Sequence, residues 1–181
     1  NMAGMGPVAL PVDGADGSRG SGDVPAGQGS YDLAFAIDPD NYNNIFIGGI
    51  NTFMSSDGGI SWESSNMWTD GTEWNTFGND QIVHADKHSL DFHPLVPNTL
   101  YECNDGGVYK SSDGGETWMN LSQGLQISQF YSISSSQISE ENITGGRQDN
   151  GSLAISGDQE VALIGGDGMI THIDYAEEEY I

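Results

Sequence analysis

The chain has 181 residues, 27 acidic and 4 basic, which gives a formal net charge of -23 and a pI near 4.1. Such a charge repels phosphate backbones and anionic lipids, so it excludes nucleic acid and membrane surfaces as partners; it suits cations, a salty exterior or simple solubility. No apolar run approaches the ~18 residues that would cross a bilayer, and the single cysteine, Cys103, excludes an internal disulfide or a Cys-cluster zinc site.

Residues 1–30 are rich in Gly, Ala, Pro, Asp and Ser, and we expect a loop-rich lead-in segment. From Tyr31 onward, short runs of β-branched, aromatic and aliphatic residues alternate with Gly, Asn, Asp and Ser. This pattern predicts an all-β fold over 31–181.

The region from Tyr31 onward is self-similar. Residues 33–39, 44–49 and 55–62 form one unit, and 89–94, 98–101 and 105–118 repeat it in order. Third and fourth copies begin near Phe130 and Ile170, with Pro39, Pro94, about Ser135 and Tyr175 as matching positions. The resulting repeats are about 31–83, 84–126, 127–166 and a truncated 167–181.

A spacing of about 40 residues is typical of one four-stranded propeller blade. The sequence therefore predicts a β-propeller fragment of about three to four blades. Since propellers typically need about 4 to 8 blades, we expect the remainder of the same polypeptide to complete the ring. The longer first interval predicts an insertion at 63–83, which contains Trp68, Trp74 and Phe77.

Two segments within the repeats share one turn motif. Residues 55–62 read Ser-Ser-Asp-Gly-Gly-Ile-Ser-Trp, and 111–118 read Ser-Ser-Asp-Gly-Gly-Glu-Thr-Trp. The aspartate would accept turn N–H groups, the glycines would supply positive φ, and the tryptophan would close the hairpin across the strands. We interpret this motif, the Asp-box, as structural: Ser55, Asp57, Gly59, Trp62, Ser111, Asp113, Gly115 and Trp118. The sequence Ser156-Gly-Asp158 is a degenerate third copy.

These segments together resemble a known family over nearly all of 27–181: the sortilin-like, Asp-box (bacterial neuraminidase repeat) propellers of large secreted Bacteroidota proteins. The resemblance is carried by residues 27–32, 47–49, 84–88, 101–109, 145–151 and 165–169. It implies an extracellular or cell-surface protein with a C-terminal type IX secretion sorting domain. The wider superfamily includes sialidases, xyloglucanases and sortilin ectodomains, so function stays open.

His84, Asp86 and His88 are spaced at i, i+2 and i+4, so on a strand their side chains would share one face. Two imidazoles and a carboxylate there could ligate a divalent cation such as zinc. The alternative is that they hydrogen-bond neighbouring loops and line the channel.

Several Asp-containing turns also have a chemical interpretation. Gln148, Asp149 and Asn150 are interpreted as a buried turn network, with a ligand site as the alternative. Asp105 and Asp167, each followed by Gly, fit the same description, and such turns could bind calcium. The sequence contains no complete EF-hand loop or nonapeptide calcium repeat.

Two function classes follow. A binding or structural propeller would present Trp68, Trp74 and Phe77 to a glycan or an extracellular protein partner, unless these rings only cap a blade edge. A glycoside hydrolase would need two facing carboxylates, and 27 acidic residues single out no pair. The three-arginine clamp of sialidases cannot be built from Arg19 and Arg147 alone. Because no Gly-x-Ser-x-Gly elbow is present and Cys103 lies in a repeat strand, we assign that cysteine to packing.

Overall fold

The computed structural model describes residues 31–68, 71–72, 75–76, 78–125 and 127–175. Within these ranges the chain forms β-strands and one short 3-10 helix, Asn79–Gln81, with no α-helix. No described helix has the length and apolar character needed to cross a bilayer. The chain divides into two compact units, Asn1–Gln123 and Gly124–Ile181, which are taken separately below.

The first unit contains two four-stranded antiparallel sheets whose strands are hydrogen-bonded in chain order. The first sheet consists of β1 (Ala34–Ile37), β2 (Ile45–Gly48), β3 (Thr52–Ser55) and β4 (Glu63–Asn66). After a small hairpin of β5 (Gly71–Thr72) and β6 (Asn75–Thr76), the second sheet consists of β7 (Lys87–Phe92), β8 (Leu100–Asn104), β9 (Gly107–Ser111) and β10 (Met119–Asn120).

The two sheets of the first unit pack face to face. On β1 the alternation buries Ala34 and Ala36, and Ala36 pairs with Phe46 of β2. The Phe46 ring meets Phe92 of β7 edge to face, with 5.6 Å between ring centroids. The core that results comprises Ala34, Ala36, Phe46, Val83, Leu90, Leu100, Tyr109 and Trp118, with Met54 and Phe92 packed against it. Burial of these side chains is the main force holding the sheets together.

The predicted insertion begins later than the sequence suggested. Glu63–Asn66 form the fourth strand of the first sheet, so the extra segment starts at Met67. Its two ends meet in a parallel bridge between Met67 and Ile82, where Met67 N–H donates to Gln81 O and Val83 N–H donates to Met67 O. The insertion is therefore closed at its base by backbone hydrogen bonds.

The second unit contains one four-stranded antiparallel sheet: β11 (Phe130–Ser135), β12 (Asn142–Arg147), β13 (Ser152–Ser156) and β14 (Gln159–Ile164). The predicted fourth copy, beginning at Ile170, forms no strand within its described part. It runs beside β11, where Thr171 and Ile173 donate their N–H groups to the hydroxyls of Ser132 and Ser134.

The backbone gives the repeat register directly. Immediately after the first strand of each sheet, the N–H of Asp38, His93 or Ser136 donates to a carbonyl across the turn, at 3.0, 2.8 and 2.9 Å. The position matching Pro39 and Pro94 is thus Gln137, two residues beyond the expected Ser135. The predicted all-β class with four-stranded blades is confirmed, and the chain is a β-propeller fragment.

Candidate binding face

One end of the two sheets in the first unit gathers the loops that carry four of the predicted metal- or ligand-binding residues, Trp68, His84, Asp86 and His88. This end is formed by the start of β1, the β2–β3 turn, the link from β4 to β7 and the β8–β9 turn. We call it the loop face; its residues are 31–33, 49–51, 67–68, 84–86, His88 and 104–106. Loops at one end of a rigid sheet scaffold are where binding residues usually lie.

Backbone contacts fix the loop face across the two sheets. Lys87 N–H donates to Gly49 O at 2.8 Å, and Asp86 N–H donates to Ile50 O at 3.3 Å. A side chain at Gly106 would overlap the ring of His84, so the β8–β9 turn packs closely on the segment before β7. The loop face is therefore a single preformed surface within this unit.

A polar and aromatic cluster stands on this face. The Asp105 carboxylate lies 2.7 Å from His88 Nε2 and accepts a hydrogen bond from the Tyr31 hydroxyl at 3.2 Å. The Tyr31 ring stands edge to face on the His88 imidazole, with 5.0 Å between centroids. Tyr31 is 51% exposed and the His88 side chain is 36% exposed, whereas the Asp105 side chain is only 15% exposed, so the cluster offers mainly an aromatic surface to solvent.

Of the three aromatic residues predicted to contact a ligand, Trp68 can be placed. It is 45% exposed, and its backbone N–H donates to Asn51 Oδ1 at 2.9 Å, which fixes the Trp68 backbone beside the β2–β3 turn. Trp74 and Phe77 lie outside the described residues.

The strand geometry assumed for His84, Asp86 and His88 is wrong. Strand β7 begins only at Lys87, and Asp86 has a φ of 63°, which breaks the alternation on which the prediction depended. His88 lies at a β-bulge, between the pairs Lys87↔Asn104 and Ser89↔Cys103. Bulges re-aim side chains, and His88 meets Asp105. Within the described chain, His84, Asp86 and His88 do not bring one ligand atom each within 4.8 Å of one another.

A buried ion pair lies beneath the loop face, and the sequence analysis missed it. Lys87 Nζ lies 2.9 Å from Glu102 Oε1, and both side chains are fully buried. Lys87 also donates to the carbonyls of Val83 and His84. A buried charge is costly unless it is paired and hydrogen-bonded.

The Glu102 carboxylate is satisfied by groups from both sheets. It accepts hydrogen bonds from Thr52 Oγ1 at 2.7 Å, Asn66 Nδ2 at 2.8 Å and Asn104 Nδ2 at 3.1 Å. Thr52 and Asn66 belong to the first sheet and Glu102 to the second. In the sequence, the only sign of this ion pair is a glutamate at a core-facing strand position between Leu100 and Asn104. That position does not indicate which residues bind the carboxylate.

The two Asp-box segments form hairpins at the end of the sheets opposite the loop face. In the first, Asp57 Oδ1 accepts the N–H groups of Ile60 and Ser61, each at 2.9 Å, and Ser55 Oγ accepts that of Gly59. Hydrogen bonds from the side chain and then the N–H of Ser61 lead in lowering the pKa of Asp57 from 3.8 to about 2.

The second hairpin repeats these contacts. Partial burial would raise the pKa of Asp113, but hydrogen bonds from Thr117 and Ser111 outweigh it, so the pKa is lowered. The glycines have positive φ in both hairpins, 90° at Gly59 and 91° at Gly115.

The two tryptophans differ in what they contact. Trp62 is half-buried, and its Nε1 donates to Gly59 O within its own hairpin. Trp118 is buried, and its Nε1 donates to Ser65 Oγ of the first sheet at 3.2 Å; Ser65 in turn donates to Gly115 O. In addition to the role predicted within its own hairpin, Trp118 therefore joins the second sheet to the first.

In the second unit, the Gln148–Asp149–Asn150 segment forms the β12–β13 turn. Asn150 Nδ2 donates to Gln148 O at 3.0 Å, and Asp149 N–H donates to Asp167 Oδ1 at 3.1 Å. Asp149 has a φ of 55°, which an aspartate adopts more readily than most residues. These contacts form a turn network, but the three residues are half-buried and not buried as predicted. The ligand alternative stays a prediction.

No protein-family model and no curated protein sequence matches the chain. Among solved structures, it is similar to an ancestral GH74 enzyme, with 18% identity over 72% of this chain and 20% of that one, at a TM-score of 0.41. It is similar to YCF48 from Cyanidioschyzon merolae, with 14% identity over 76% of this chain and 41% of that one, at a TM-score of 0.37. It is also similar to the GH74 enzyme of Niastella koreensis, with 15% identity over 74% of this chain and 22% of that one, at a TM-score of 0.38. The chain spans between about a fifth and two fifths of these proteins, and identities this low transfer no activity.

Proposed function

We propose that this chain is part of a secreted or cell-surface β-propeller that binds a glycan or protein partner through its loop face. The observation that carries the proposal is the exposed Tyr31–His88–Asp105 cluster on the same face as Trp68. Aromatic rings combined with a few oriented polar groups are typical of binding surfaces. The Tyr31–His88–Asp105 cluster and Trp68 both lie beside backbone that is held by hydrogen bonds. Binding a partner therefore costs little conformational entropy in this part of the protein.

The charge of the chain narrows the partner. A net charge of -23 opposes the approach of any polyanion. A neutral polysaccharide or a neutral or basic protein surface meets no such barrier. Within this proposal the Asp105 carboxylate accepts hydrogen bonds from the ligand, and Tyr31 and Trp68 supply the apolar contact.

We assign the chain to the sortilin-like, Asp-box propellers of type IX secretion, on the two hairpins at Asp57 and Asp113 with equivalent hydrogen bonds. The assignment includes further blades from the same polypeptide. An exposed apolar face supports that part: Phe35 of β1 is 58% exposed, whereas Leu90, its equivalent on β7, is 4% exposed because it packs on the first sheet.

The test of ligand binding is a matched pair of aromatic variants. We expect Trp68→Ala to weaken binding of the full chain at least about tenfold, since one well-placed aromatic side chain commonly contributes that much. The probes are neutral polysaccharides, xyloglucan included, measured by affinity electrophoresis. Tyr42→Ala is the control: Tyr42 is 79% exposed in the β1–β2 turn, at the opposite end of the sheet, and its loss should leave binding unchanged.

Three outcomes decide between the function classes. Equal weakening by both variants, or no binding to any polysaccharide or extracellular protein extract tested, would count against the loop face. Release of reducing sugar from the same polysaccharides would instead favour a glycoside hydrolase related to xyloglucanases. Binding without sugar release, lost on Trp68→Ala, supports the binding module.

A further inference from the structure

The same turn is capped by three different side chains in the three sheets. After the first strand of each sheet, one side chain folds back onto the turn and accepts N–H groups two or three residues further on. Asp38 Oδ1 accepts Asp40 N–H at 2.9 Å, and Ser136 Oγ accepts the N–H groups of Ile138 and Ser139 at 2.8 and 2.7 Å. We call this position the turn cap.

In the second sheet the turn cap is His93. Its Nδ1 accepts the N–H groups of Leu95 at 3.0 Å and Val96 at 3.1 Å. An imidazole nitrogen can accept only when it carries no hydrogen, so the ring must be neutral with its hydrogen on Nε2. A protonated imidazole has hydrogen on both nitrogens and accepts nothing.

We propose that His93 makes the β7–β8 turn sensitive to mildly acidic pH, whereas the equivalent turns of the other two sheets are not. A serine hydroxyl accepts hydrogen bonds at any pH in this range, and an aspartate carboxylate does so down to about pH 4. Histidine is the residue that gains its proton between about pH 5 and 8. Protonation of His93 removes both turn hydrogen bonds and points an N–H at two N–H groups.

The charged and titratable groups nearest His93 come from three elements. On the preceding strand, β7, lies Asp91, which accepts a hydrogen bond from Ser89 at 2.8 Å. From β8, the Tyr101 ring lies 6.3 Å from the imidazole, centroid to centroid, and from β9 Lys110 Nζ lies 5.9 Å from the Tyr101 centroid. The adjacent β9–β10 hairpin carries Asp113 and Glu116. These groups bear both signs of charge, while the two N–H donors aim directly at the atom that would be protonated.

Loosening of this turn has a definite structural consequence. Gly114 N–H of the second Asp-box hairpin donates to Asn98 O, in the same turn, at 2.9 Å. The effect of acid therefore reaches that hairpin. It does not involve the loop face, which lies at the other end of the sheet.

The experiment is residue-resolved amide exchange by NMR on the full chain at pH 7.5 and 5.0, corrected for the intrinsic pH dependence of exchange. We expect the protection of Leu95 and Val96 to fall roughly fivefold or more in acid, the effect of losing one ordinary hydrogen bond. Ile138 and Ser139, under the serine cap, are the internal reference and should keep their protection.

The sister turns provide the control variants. His93→Ser and His93→Asp place the caps of the third and first sheets in the second, so either should keep the turn closed and abolish its response to pH. An unchanged response in a folded variant would overturn the proposal, as would wild-type protection that does not differ between the two pH values. As a second measurement, ¹⁵N shifts showing hydrogen on Nδ1 of His93 at pH 7.5 would overturn it without any variant.

Discussion

Asp57 shows how one half-buried side chain can hold a turn in place. Its carboxylate accepts two backbone N–H groups and the Ser61 hydroxyl, and all three bonds favour the ionised form. Its pKa of about 2 in the fold, against 3.8 for a free aspartate, means that ionisation stabilises the folded state. That contribution is complete above about pH 4 and is lost as the pH falls toward 2.

We expect Asp57→Asn to reduce the loss of stability that the protein shows as the pH falls from 4 to 2. Because an asparagine side chain does not titrate, the melting temperature of the variant should fall less than that of the wild type between pH 4 and 2. Thermal unfolding followed by circular dichroism at half-unit pH steps measures this.

Asp40→Asn is the control for that series, since Asp40 is an exposed aspartate in the neighbouring β1–β2 turn. Identical losses of stability for Asp57→Asn and wild type over this pH range would contradict the assignment of the stabilising hydrogen bonds. Asp113, whose pKa is also lowered, contributes to the acid dependence that should persist in the variant.

At the scale of the element, the two Asp-box hairpins have nearly the same backbone conformation but different neighbouring residues. Gly59 and Gly115 share a φ near 90°, but their neighbours differ. A Cβ at Gly59 would make ordinary contact with Trp62 at 3.6 Å, whereas a Cβ at Gly115 would lie 2.5 Å from the Phe46 ring of the first sheet.

This difference predicts the outcome of two alanine substitutions. Gly59→Ala should cost about 1 kcal/mol, the usual cost of positive φ for a residue with Cβ. Gly115→Ala should cost about 1–3 kcal/mol more, because overpacking is added to the backbone strain. Urea unfolding of both variants measures the difference, and equal losses would show that the Gly115–Phe46 contact gives way without cost.

The sequence predicts most strands and both Asp-box hairpins from local signals. Alternating apolar residues and the Ser-x-Asp-Gly-Gly turns located the strands and hairpins because strand and turn chemistry act over a few residues. Sequence reasoning failed at His84–His88, where a positive φ at Asp86 and a bulge at His88 depend on contacts with Ile50 and Asp105 far along the chain. It also missed Glu102, whose partners Thr52 and Asn66 lie in another repeat.

For the whole molecule, the dominant quantity is the charge. Self-repulsion among 27 acidic and only 4 basic residues opposes the compact state, and dissolved salt screens it.

We therefore expect the melting temperature to rise by about several degrees between 20 and 500 mM NaCl, the range over which the screening length falls to about 4 Å. KCl should give the same rise, because screening does not depend on the identity of the cation. A further rise in CaCl₂ or ZnCl₂ at matched ionic strength would reveal the divalent cation predicted from the Asp- and His-containing loops. A flat or falling response to NaCl would contradict the role given to self-repulsion.

The buried Lys87–Glu102 pair also has a consequence for how such a protein can evolve. The position of Glu102 is occupied by Ile47 in the first sheet and by Gly145 in the third, as the strand pairings show. Lys87 and Asn104 belong to the same sheet as this carboxylate, whereas Thr52 and Asn66 belong to the first sheet. Beside a different module the ion pair would persist but would lose two hydrogen bonds in a dry interior, so the native order of these two modules is favoured.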